Sequence, residues 1–300
     1  MSSLAIGIDL GCTNIKGLLV NSSGEIMAEA IAETIEQDDD HWKSAVAKMI
    51  TDLRDQSKGN INAIGLCAPG LADASNNCIA HMPARLPGIE KFVWSDFIGE
   101  PVHVINDAHA ALMAETAFGA ARGLKHAVLL SLGTGVGGGL LIDGKLYQGL
   151  QQRAGHLGHV TIDADAIDRD ITNMPGSIED AIGNAALGKR SLGRYDTTDT
   201  LVADYQKGDS FATWVWLSAV RRLAICLSST INIVAPEAII LSGGITKAGD
   251  ALLQPLEDFL SLYEWRPGGT RTPVRLAHFT DRAGALGAAG FAISRLKTTT

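Results

Sequence analysis

Short apolar runs that end in turn residues recur along the chain and predict β-strands. These runs lie at 4–10, 61–67, 102–105, 126–132, 238–244 and 273–279. Apolar residues at helical spacing predict helices at 41–54, 108–121, 179–192 and 210–234, before a closing alanine-rich helix, AGALGAAGFAISRL. Strands that alternate with helices in this way are typical of an α/β fold.

One pattern occurs twice: an apolar strand, a glycine-rich turn and a hairpin. The first copy begins at residue 4 and runs through GCTN into IKGLLVNSSGEIMAEAIAE. The second begins at residue 126, runs through GTGVGGG and continues as LLIDGKLYQG, with a hairpin turn at Asp143-Gly144. The same order of elements predicts two lobes of one topology. Nothing between the two copies has the composition of a flexible linker.

Composition and charge narrow the class of function. The chain of 300 residues is 46% apolar and 19% charged, which suits two domains or one large α/β domain. Its net charge is −8 and it has no basic patch, which argues against nucleic acid as a partner. The four cysteines form no CxxC pair, so we expect reduced thiols in a cytoplasmic protein. Without a signal peptide or an apolar run of ~20 residues, we expect no membrane association.

Two glycine-rich turns carry the first candidate chemistry. Residues 133–138 (GTGVGG) match the GxGxxG dinucleotide-binding fingerprint, but that site requires a helix after the third glycine. A strand and a hairpin turn follow instead, which disfavours a NAD-dependent enzyme. A glycine-rich turn between strands exposes backbone N–H groups that bind phosphate oxygens. With DLGCTN at 9–14, this turn predicts a nucleotide triphosphate held by both lobes; the alternative is two plain hairpin connections.

Side chains beside these turns complete the predicted phosphate site. Asp9 is placed to hold Mg²⁺ through water, and Thr13, Asn14 and Thr134 supply hydrogen-bond donors. Lys16 lies two residues after Asn14, so on a strand it shares that face and is expected to neutralise phosphate charge. The turn glycines assigned to the site are Gly11, Gly133 and Gly135.

Two histidines three residues apart stand near the start of the segment AGHLGHVTIDADAIDRDITNMPGSIED (154–180). His156 and His159 could bind a metal, contact a substrate or pack in a core. Structural zinc sites favour closely spaced Cys and His, and this segment contains no cysteine. The remaining candidate carboxylate ligands are Asp163, Asp165, Asp168 and Asp170. We therefore expect no structural zinc, and a loop held by its own hydrogen bonds.

A set of motifs in a fixed order over nearly the whole chain resembles the ROK sugar kinases (repressors, open reading frames, kinases) of the actin-like ATPase superfamily. The motifs are IGIDLGCTNIKG (6–17), CAPG (67–70), INDAHAALMAE (105–115), LSLGTGVGGGLLIDGKL (130–146), AGHLGHVTID (154–163) and LSGGI (241–245). The resemblance implies an α/β, two-lobed actin-like ATPase (ribonuclease H-like) fold with duplicated mixed sheets.

The same resemblance implies the domain organisation and the assembly. An N-terminal lobe of residues 1–120 is completed by the C-terminal helix 284–300, and a C-terminal lobe spans residues 121–283. The active site is expected in the cleft between the lobes, and the protein is expected to be a homodimer.

Residue roles follow from the resemblance, which implies ATP- and Mg²⁺-dependent phosphoryl transfer to a sugar hydroxyl. This reaction needs positioning, charge neutralisation and a group that takes the hydroxyl proton. Asp107 matches the family's general base and Asn106 its sugar contact, although an Asp before a helix is also a common N-cap. Gly70 of CAPG lies on the sugar side. The loop LSGGI, with Gly243 and Gly244, is expected beside the adenosine.

SIED (177–180) matches the short family motif that carries a sugar-binding Glu, which is Glu179 here. The alternative is structural: Ser177 caps a helix, and Glu179 and Asp180 complement the dipole of that helix. The two interpretations are compatible.

Several positions depart from the family pattern. His156 stands where the family has a Glu that accepts hydrogen bonds from sugar hydroxyls, and Arg85 stands where a sugar-binding Asn is common. The cysteines that would join His159 in a zinc site are absent. Both substitutions on the sugar side move the charge in the positive direction, which predicts either a different neutral sugar or an anionic one that Arg85 clamps. Cys12 replaces a glycine, and would be strained if the turn needed a positive φ there.

Two rival functions remain within the same family. A transcriptional repressor needs a helix-turn-helix segment before the first motif, and about three residues precede it here, so we expect no repressor. A catalytically inactive sugar- or nucleotide-binding protein is disfavoured by Asp107 and both glycine turns.

Overall fold

The computed structural model describes residues 3–57, 59–82, 85–167, 169–170 and 172–296. The chain divides into two compact units. The first comprises Met1–Leu124, Leu146–Ala154 and Ala277–Thr300, and the second comprises Lys125–Lys145 and Gly155–Leu276.

The regular elements follow one another along the chain as alternating strands and helices. The strands are β1 (Leu4–Leu10), β2 (Asn14–Asn21), β3 (Ile26–Glu33), β4 (Ile61–Ala68), β5 (Leu71–Ala72), β6 (Ile79–His81), β7 (Val102–Asn106), β8 (Ala127–Leu132), β9 (Val136–Ile142), β10 (Lys145–Tyr147), β11 (Ala238–Ser242) and β12 (Val274–Leu276). The α-helices are α1 (Asp39–Asp55), α2 (Trp94–Ile98), α3 (Asp107–Phe118), α4 (Ile178–Ile182), α5 (Leu187–Arg190), α6 (Thr198–Gln206), α7 (Ser210–Val234), α8 (Asp250–Tyr263) and α9 (Ala283–Leu296).

The first unit is built on a five-stranded sheet with the order β3-β2-β1-β4-β7. β1, β2 and β3 form an antiparallel meander, while β1, β4 and β7 run parallel. Asn21 closes the turn between β2 and β3, because its side-chain oxygen accepts hydrogen bonds from the backbone N–H groups of Ser23 (3.0 Å) and Glu25 (3.1 Å). Since parallel strands end at the same edge of a sheet, the residues that follow β1, β4 and β7 lie near one another.

A second five-stranded sheet, with the order β10-β9-β8-β11-β12, repeats this arrangement. β8 pairs antiparallel with β9, and β8, β11 and β12 run parallel. Asp143 and Gly144 have φ angles of 51° and 71°, as a two-residue hairpin turn requires. The predicted duplication of mixed sheets is therefore confirmed.

Helix α9 packs in the first unit at distances that only glycine permits. A Cβ atom added at Gly7 of β1 would lie 1.9 Å from a carbonyl oxygen of α9, and one at Gly65 of β4 would lie 2.0 Å from another. A Cβ at Gly287 would lie 1.7 Å from the carbonyl oxygen of Ala110 in α3. The small residues of α9 thus allow backbone-to-backbone contact with two strands and a helix.

Helix α7 runs through the core of the second unit. Trp216, Leu223 and Leu227 are almost fully buried there, and the Trp216 indole N–H donates to the carbonyl oxygen of Ala251 at 2.8 Å. In the described part of the chain, α7 alone has the length and apolar composition that a membrane span requires, and half of its most apolar stretch is buried inside the protein.

The predicted helix at 210–234 and the strand at 4–10 are confirmed at their predicted bounds. The prediction of one continuous helix at 179–192 is wrong. α4 ends at Ile182, because Gly183 has a non-helical ψ of 147°, and a 3₁₀ turn lies between α4 and α5. Helices α2, α6 and α8 have no counterpart among the predicted elements.

Candidate functional site

In the first unit, polar side chains meet at the carboxyl ends of three neighbouring parallel strands. Asp9 lies near the end of β1 opposite Cys67 of β4, and Ala68 of β4 lies opposite Asn106 of β7. Asp107 follows directly as the first residue of α3. The topology therefore brings together Asp9, Asn106 and Asp107, which the sequence places far apart.

Asp107 combines contact with solvent and surroundings that disfavour its charged form. The residue is exposed on one side, and its Oδ1 accepts a hydrogen bond from the N–H of Ala108 at 2.8 Å. Dense packing around the carboxyl group and the negative charge of Asp9 raise the pKa of Asp107 to about 6, although hydrogen bonds from Ala108 and Asn106 oppose the rise. A carboxyl group with this pKa exchanges a proton near neutral pH, as a general base must.

Asn106, and not Asp107, is the N-cap of α3. Its side-chain oxygen accepts from the N–H groups of Ala108 (2.9 Å) and His109 (3.2 Å), and its side-chain nitrogen donates to the carbonyl oxygen of Gly70 at 2.9 Å. Gly70 has φ 98°, and a Cβ there would lie 2.6 Å from a backbone oxygen of His81. Because Asn106 satisfies the cap, the carboxylate of Asp107 is left available for chemistry.

Asp9 is partly buried among small groups. The Cys67 thiol donates to Asp9 Oδ1 at 3.5 Å, and a Cβ at Gly284 would lie 2.5 Å from Asp9 Oδ2. Burial raises the pKa of Asp9, while the Cys67 hydrogen bond and the Lys16 charge lower it. The Lys16 ammonium donates to the carbonyl oxygen of Asp281 at 3.1 Å. A partly accessible carboxylate of this kind suits Mg²⁺, which prefers oxygen ligands and retains waters.

The turn after β1 is held from the side by Thr34. Its hydroxyl donates to the carbonyl oxygen of Gly11 at 2.8 Å, and its N–H donates to that of Thr13 at 2.9 Å. Thr13 and Asn14 are exposed, as side chains that contact a ligand must be. Cys12 does not adopt a positive φ, so the strain considered from the sequence does not arise.

Arg85 is paired with an acidic partner that the sequence alone did not indicate. Its guanidinium donates to both carboxylate oxygens of Glu36, at 2.5 and 3.2 Å, and the N–H of Leu86 donates to the same carboxylate at 3.3 Å. The hydrogen bond from Arg85 lowers the pKa of Glu36. The positive charge that Arg85 brings is therefore balanced within the first unit.

In the second unit, Glu179 lies against the glycine-rich turn after β8. Its Oε2 accepts from the N–H of Val136 at 2.9 Å, and a Cβ at Gly135 would lie 2.3 Å from the same oxygen. Glu179 is only 8% exposed, and its Oε1 has no hydrogen-bond partner among the described residues. Thr134 is exposed and Gly133 is partly buried. Both are fixed through their carbonyl oxygens, which accept from the N–H groups of Ala185 and Asn184 respectively, each at 2.9 Å.

The loop after β11 lies beside this turn. Gly243 has φ 88°, and a Cβ there would lie 2.4 Å from the carbonyl oxygen of Leu132, which ends β8. Gly244 has open space around its Cα. The second unit therefore places Gly133, Gly135, Gly243 and Gly244 together at the ends of two parallel strands.

The two histidines lie around a 3₁₀ turn at Leu157–His159. A Cβ at Gly158 would lie 1.9 Å from the carbonyl oxygen of Val136, so this turn packs on β9. His156 is partly buried and His159 is exposed, with its Nδ1 3.3 Å from the hydroxyl of Thr172.

The described side chains of the following loop do not form the donor set of a structural zinc site. Across the residues that the structure describes, no group of three or more His, Cys, Asp or Glu side chains is placed to hold a metal ion. Asp163 pairs with Arg222 at 3.7 Å and Asp170 accepts local hydrogen bonds, while Asp168 lies outside the described residues.

Sequence reasoning missed Cys67, Glu36 and Gly284 as neighbours of the site. Cys67 belongs to the quoted CAPG motif, so its position after a buried strand was the available signal. Glu36 lies in a loop 49 residues from Arg85, and no local pattern links the two.

Comparison with known proteins gives consistent matches over nearly the whole chain. Residues 5–295 match the ROK family model. A glucokinase of Halalkalibacterium halodurans is 29% identical, over 94% of this chain and 92% of that protein. The DNA-binding transcriptional dual regulator NagC of Escherichia coli is 26% identical, over 95% of this chain and 74% of that protein.

Solved structures agree with these matches. A ROK hexokinase from Thermus thermophilus superposes with a TM-score of 0.86 at 27% identity, covering 99% of this chain and all of that one. A ROK family glucokinase from Streptomyces griseus, solved with glucose and AMPPNP, superposes with a TM-score of 0.78 at 25% identity, covering 97% of this chain and all of that one.

Proposed function

Since this chain belongs to the ROK family and has the actin-like ATPase fold with duplicated mixed sheets, we propose that it is an ATP-dependent sugar kinase. The observation that carries the proposal is Asp107, a solvent-accessible carboxyl group with a pKa near 6 at the carboxyl ends of three parallel strands. The glucose and AMPPNP bound to the Streptomyces griseus glucokinase indicate the classes of ligand.

Asp107 acts as the general base that accepts the proton of the attacking sugar hydroxyl. Asn106 fixes the start of α3 and the loop at Gly70, so the carboxylate is held in place. Without bound Mg²⁺, burial of the carboxyl group and the negative charge of Asp9 raise the pKa of Asp107, and a raised pKa favours proton uptake.

The nucleotide is assigned to the two glycine-rich turns. Gly11, Thr13 and Asn14 of the first turn, with Lys16, and Gly133, Thr134 and Gly135 of the second contact the phosphates, and Gly243 and Gly244 lie beside the adenosine. Asp9 would hold Mg²⁺ through water, and the ion would supply charge neutralisation of the phosphates.

The sugar is assigned to Asn106, Gly70, His156, His159 and Glu179. The free Oε1 of Glu179 supports this role, because a buried carboxylate oxygen without a protein partner is suited to a ligand hydroxyl.

Arg85 was assigned to the same side, and its pairing with Glu36 bears on the charge of the substrate. A guanidinium that already binds a carboxylate in two places is a weak clamp for a second anion. This favours a neutral sugar over an anionic one.

A panel of neutral and anionic sugars with ATP and Mg²⁺, read by product mass, tests the proposal. We expect phosphorylation of at least one neutral sugar. If no sugar is phosphorylated although nucleotide binds normally, the alternative of an inactive sugar- or nucleotide-binding protein is favoured. The similarity to the transcriptional regulator NagC supports that alternative.

Asp107→Asn tests the role of the general base. We expect it to lower kcat about 10²- to 10⁴-fold with unchanged nucleotide affinity, because general base catalysis contributes that much. Asp250→Asn, the same change at the exposed first residue of α8, is the matched control and should retain full activity. If the Asp107→Asn variant turns over at the wild-type rate, Asp107 is not the general base.

Three further assignments complete the proposal. We expect a homodimer in the cytoplasm with no nucleic-acid partner, and size-exclusion chromatography with light scattering measures the first of these.

A further inference from the structure

The loop between the histidine pair and α4 is a hairpin whose tip is built around one carboxylate. The arms are joined by backbone bonds from Ile162 N–H to the carbonyl oxygen of Gly176 (2.8 Å) and from Ile178 N–H to that of Val160 (3.0 Å). At the tip, Asp170 N–H donates to the carbonyl oxygen of Met174 at 3.0 Å. These backbone bonds join the arms and close the turn at the tip.

Asp170 Oδ1 accepts three hydrogen bonds at this tip. The donors are the N–H of Thr172 (2.9 Å), the hydroxyl of Thr172 (2.8 Å) and the N–H of Met174 (2.9 Å). Burial would raise the pKa of Asp170, but these hydrogen bonds lower it. The ionised carboxylate is thus the centre of the tip.

Through Thr172 this network reaches His159. A carboxylate can only accept, so the single hydroxyl proton of Thr172 is directed to Asp170. The Thr172 oxygen must then accept from His159 Nδ1, 3.3 Å away. The neutral imidazole therefore carries its proton on Nδ1 and keeps Nε2 as a hydrogen-bond acceptor.

We propose that Asp170 is a positioning residue of the sugar site: through Thr172 it holds His159 with the imidazole proton on Nδ1, so that Nε2 is left as a hydrogen-bond acceptor for the sugar. This inference rests on the proposed kinase function. Three hydrogen bonds to one oxygen of Asp170 hold the described residues at the tip of the loop.

The tautomer of His159 gives a test that does not need activity. In ¹⁵N-detected NMR of the full chain above pH 8, we expect His159 to show a protonated Nδ1 and an unprotonated Nε2. Thr172→Val removes the acceptor while the backbone N–H to Asp170 remains, so His159 should lose this preference. A predominantly Nε2-protonated His159 in the wild-type protein, or an unchanged preference in the variant, would overturn the proposal.

Steady-state kinetics tests the effect on the sugar. Asp170→Ala should raise the sugar KM about tenfold or more, the effect of one or two hydrogen bonds, with ATP KM unchanged. Asp170→Asn keeps one oxygen acceptor for the backbone and should give an intermediate rise. Asp165→Asn, an exposed aspartate of the same loop, is the matched control and should leave the sugar KM unchanged.

The outcomes separate this proposal from the kinase assignment. If wild-type protein phosphorylates no sugar, the kinase assignment fails, and the NMR experiment still decides the hydrogen-bond relay. If wild type is active and Asp170→Asn and Thr172→Val raise the KM values for ATP and sugar equally, the loop has only a general structural role and the proposal is wrong. Both conservative variants keep most of the tip bonds, so they remain informative if Asp170→Ala does not fold.

Discussion

The carboxyl group of Asp107 loses its proton at a higher pH than an ordinary aspartate does, because its pKa is about 6 instead of 3.8. Burial of the carboxyl group is the largest cause of the raised pKa, and the negative charge of Asp9 is the second. The pKa therefore depends on β1, which carries Asp9, and on α3, which carries Asp107, although the two elements are far apart in the sequence. The sequence motif predicted the residue, but neither the pKa near 6 nor the capping role of Asn106 could be read from it.

This pKa leads to a pH profile of activity. A base acts when deprotonated, so kcat/KM for the sugar should be constant at high pH and should fall about tenfold per unit below the pKa of Asp107. This pKa is about 6 without Mg²⁺, and an ion held by Asp9 would offset the charge of Asp9 and lower it. Initial rates at subsaturating sugar and saturating Mg²⁺-ATP measure this profile. A profile that stays flat down to pH 4.5 would contradict a base with this pKa.

Asp107 should also reduce stability at neutral pH. Between its ordinary pKa of 3.8 and its folded value of about 6, the folded state binds the proton more tightly than the unfolded chain. Stability therefore falls as pH rises through this window and stays lower above it. We expect Asp107→Asn to match wild-type stability near pH 4 and to exceed it at pH 8, measured as Tm without nucleotide or Mg²⁺.

Asp250→Asn serves as the reference for that comparison, since this aspartate is exposed at the start of α8. Its Tm difference from wild type should not grow between pH 4 and pH 8. An Asp107→Asn difference that is equally flat would mean that the carboxylate is not disfavoured in the folded state.

Helix α9 shows why small residues matter more than hydrophobicity in one element. Its glycines and the glycines of β1 and β4 bring backbones together, so the free energy of this contact depends on the absence of side chains. The alanine-rich pattern predicted a helix. It could not predict which glycines make these close contacts, because that depends on the angle at which α9 packs on the sheet.

Gly287→Ala tests this contact. Helix propensity alone would favour alanine by roughly 1 kcal/mol, whereas the Cβ would meet the Ala110 carbonyl oxygen at 1.7 Å. Overpacking costs about 1–3 kcal/mol, so we expect a net lower free energy of unfolding in urea titrations. Gly188→Ala in α5, where a Cβ meets nothing within 4 Å, should be neutral or stabilising. A stabilised Gly287 variant would show that α9 can shift away freely.

The predicted elements succeed where the period is long and fail where a helix is short or interrupted. α7 has 25 residues of sustained helical spacing, and its predicted bounds are confirmed. α8 contains Pro255, which reads as a breaker in the sequence, and α6 has only nine residues. The tip around Asp170 has no periodic signal, because its order comes from side-chain hydrogen bonds.

The duplicated topology could be predicted from the sequence because the segments that form the two sheets begin with the same order of strand, turn and hairpin. The motifs also placed Asp9, Asn106, Asp107 and the glycine turns at strand ends, where the structure has them. Arg85 shows the limit: its partner Glu36 lies in another loop, and only the folded chain reveals that its charge is balanced.

The position of α9 along the chain also bears on the order of folding. The surfaces of β1 and β4 at Gly7 and Gly65 are synthesised early, but the helix that covers them follows the whole second unit. During translation the second unit can therefore complete its core while the first still lacks a layer, although domains usually finish in order from the N-terminus. For that interval the sheet that carries Asp9 exposes an apolar face to chaperones or to aggregation, and the last helix ends that exposure.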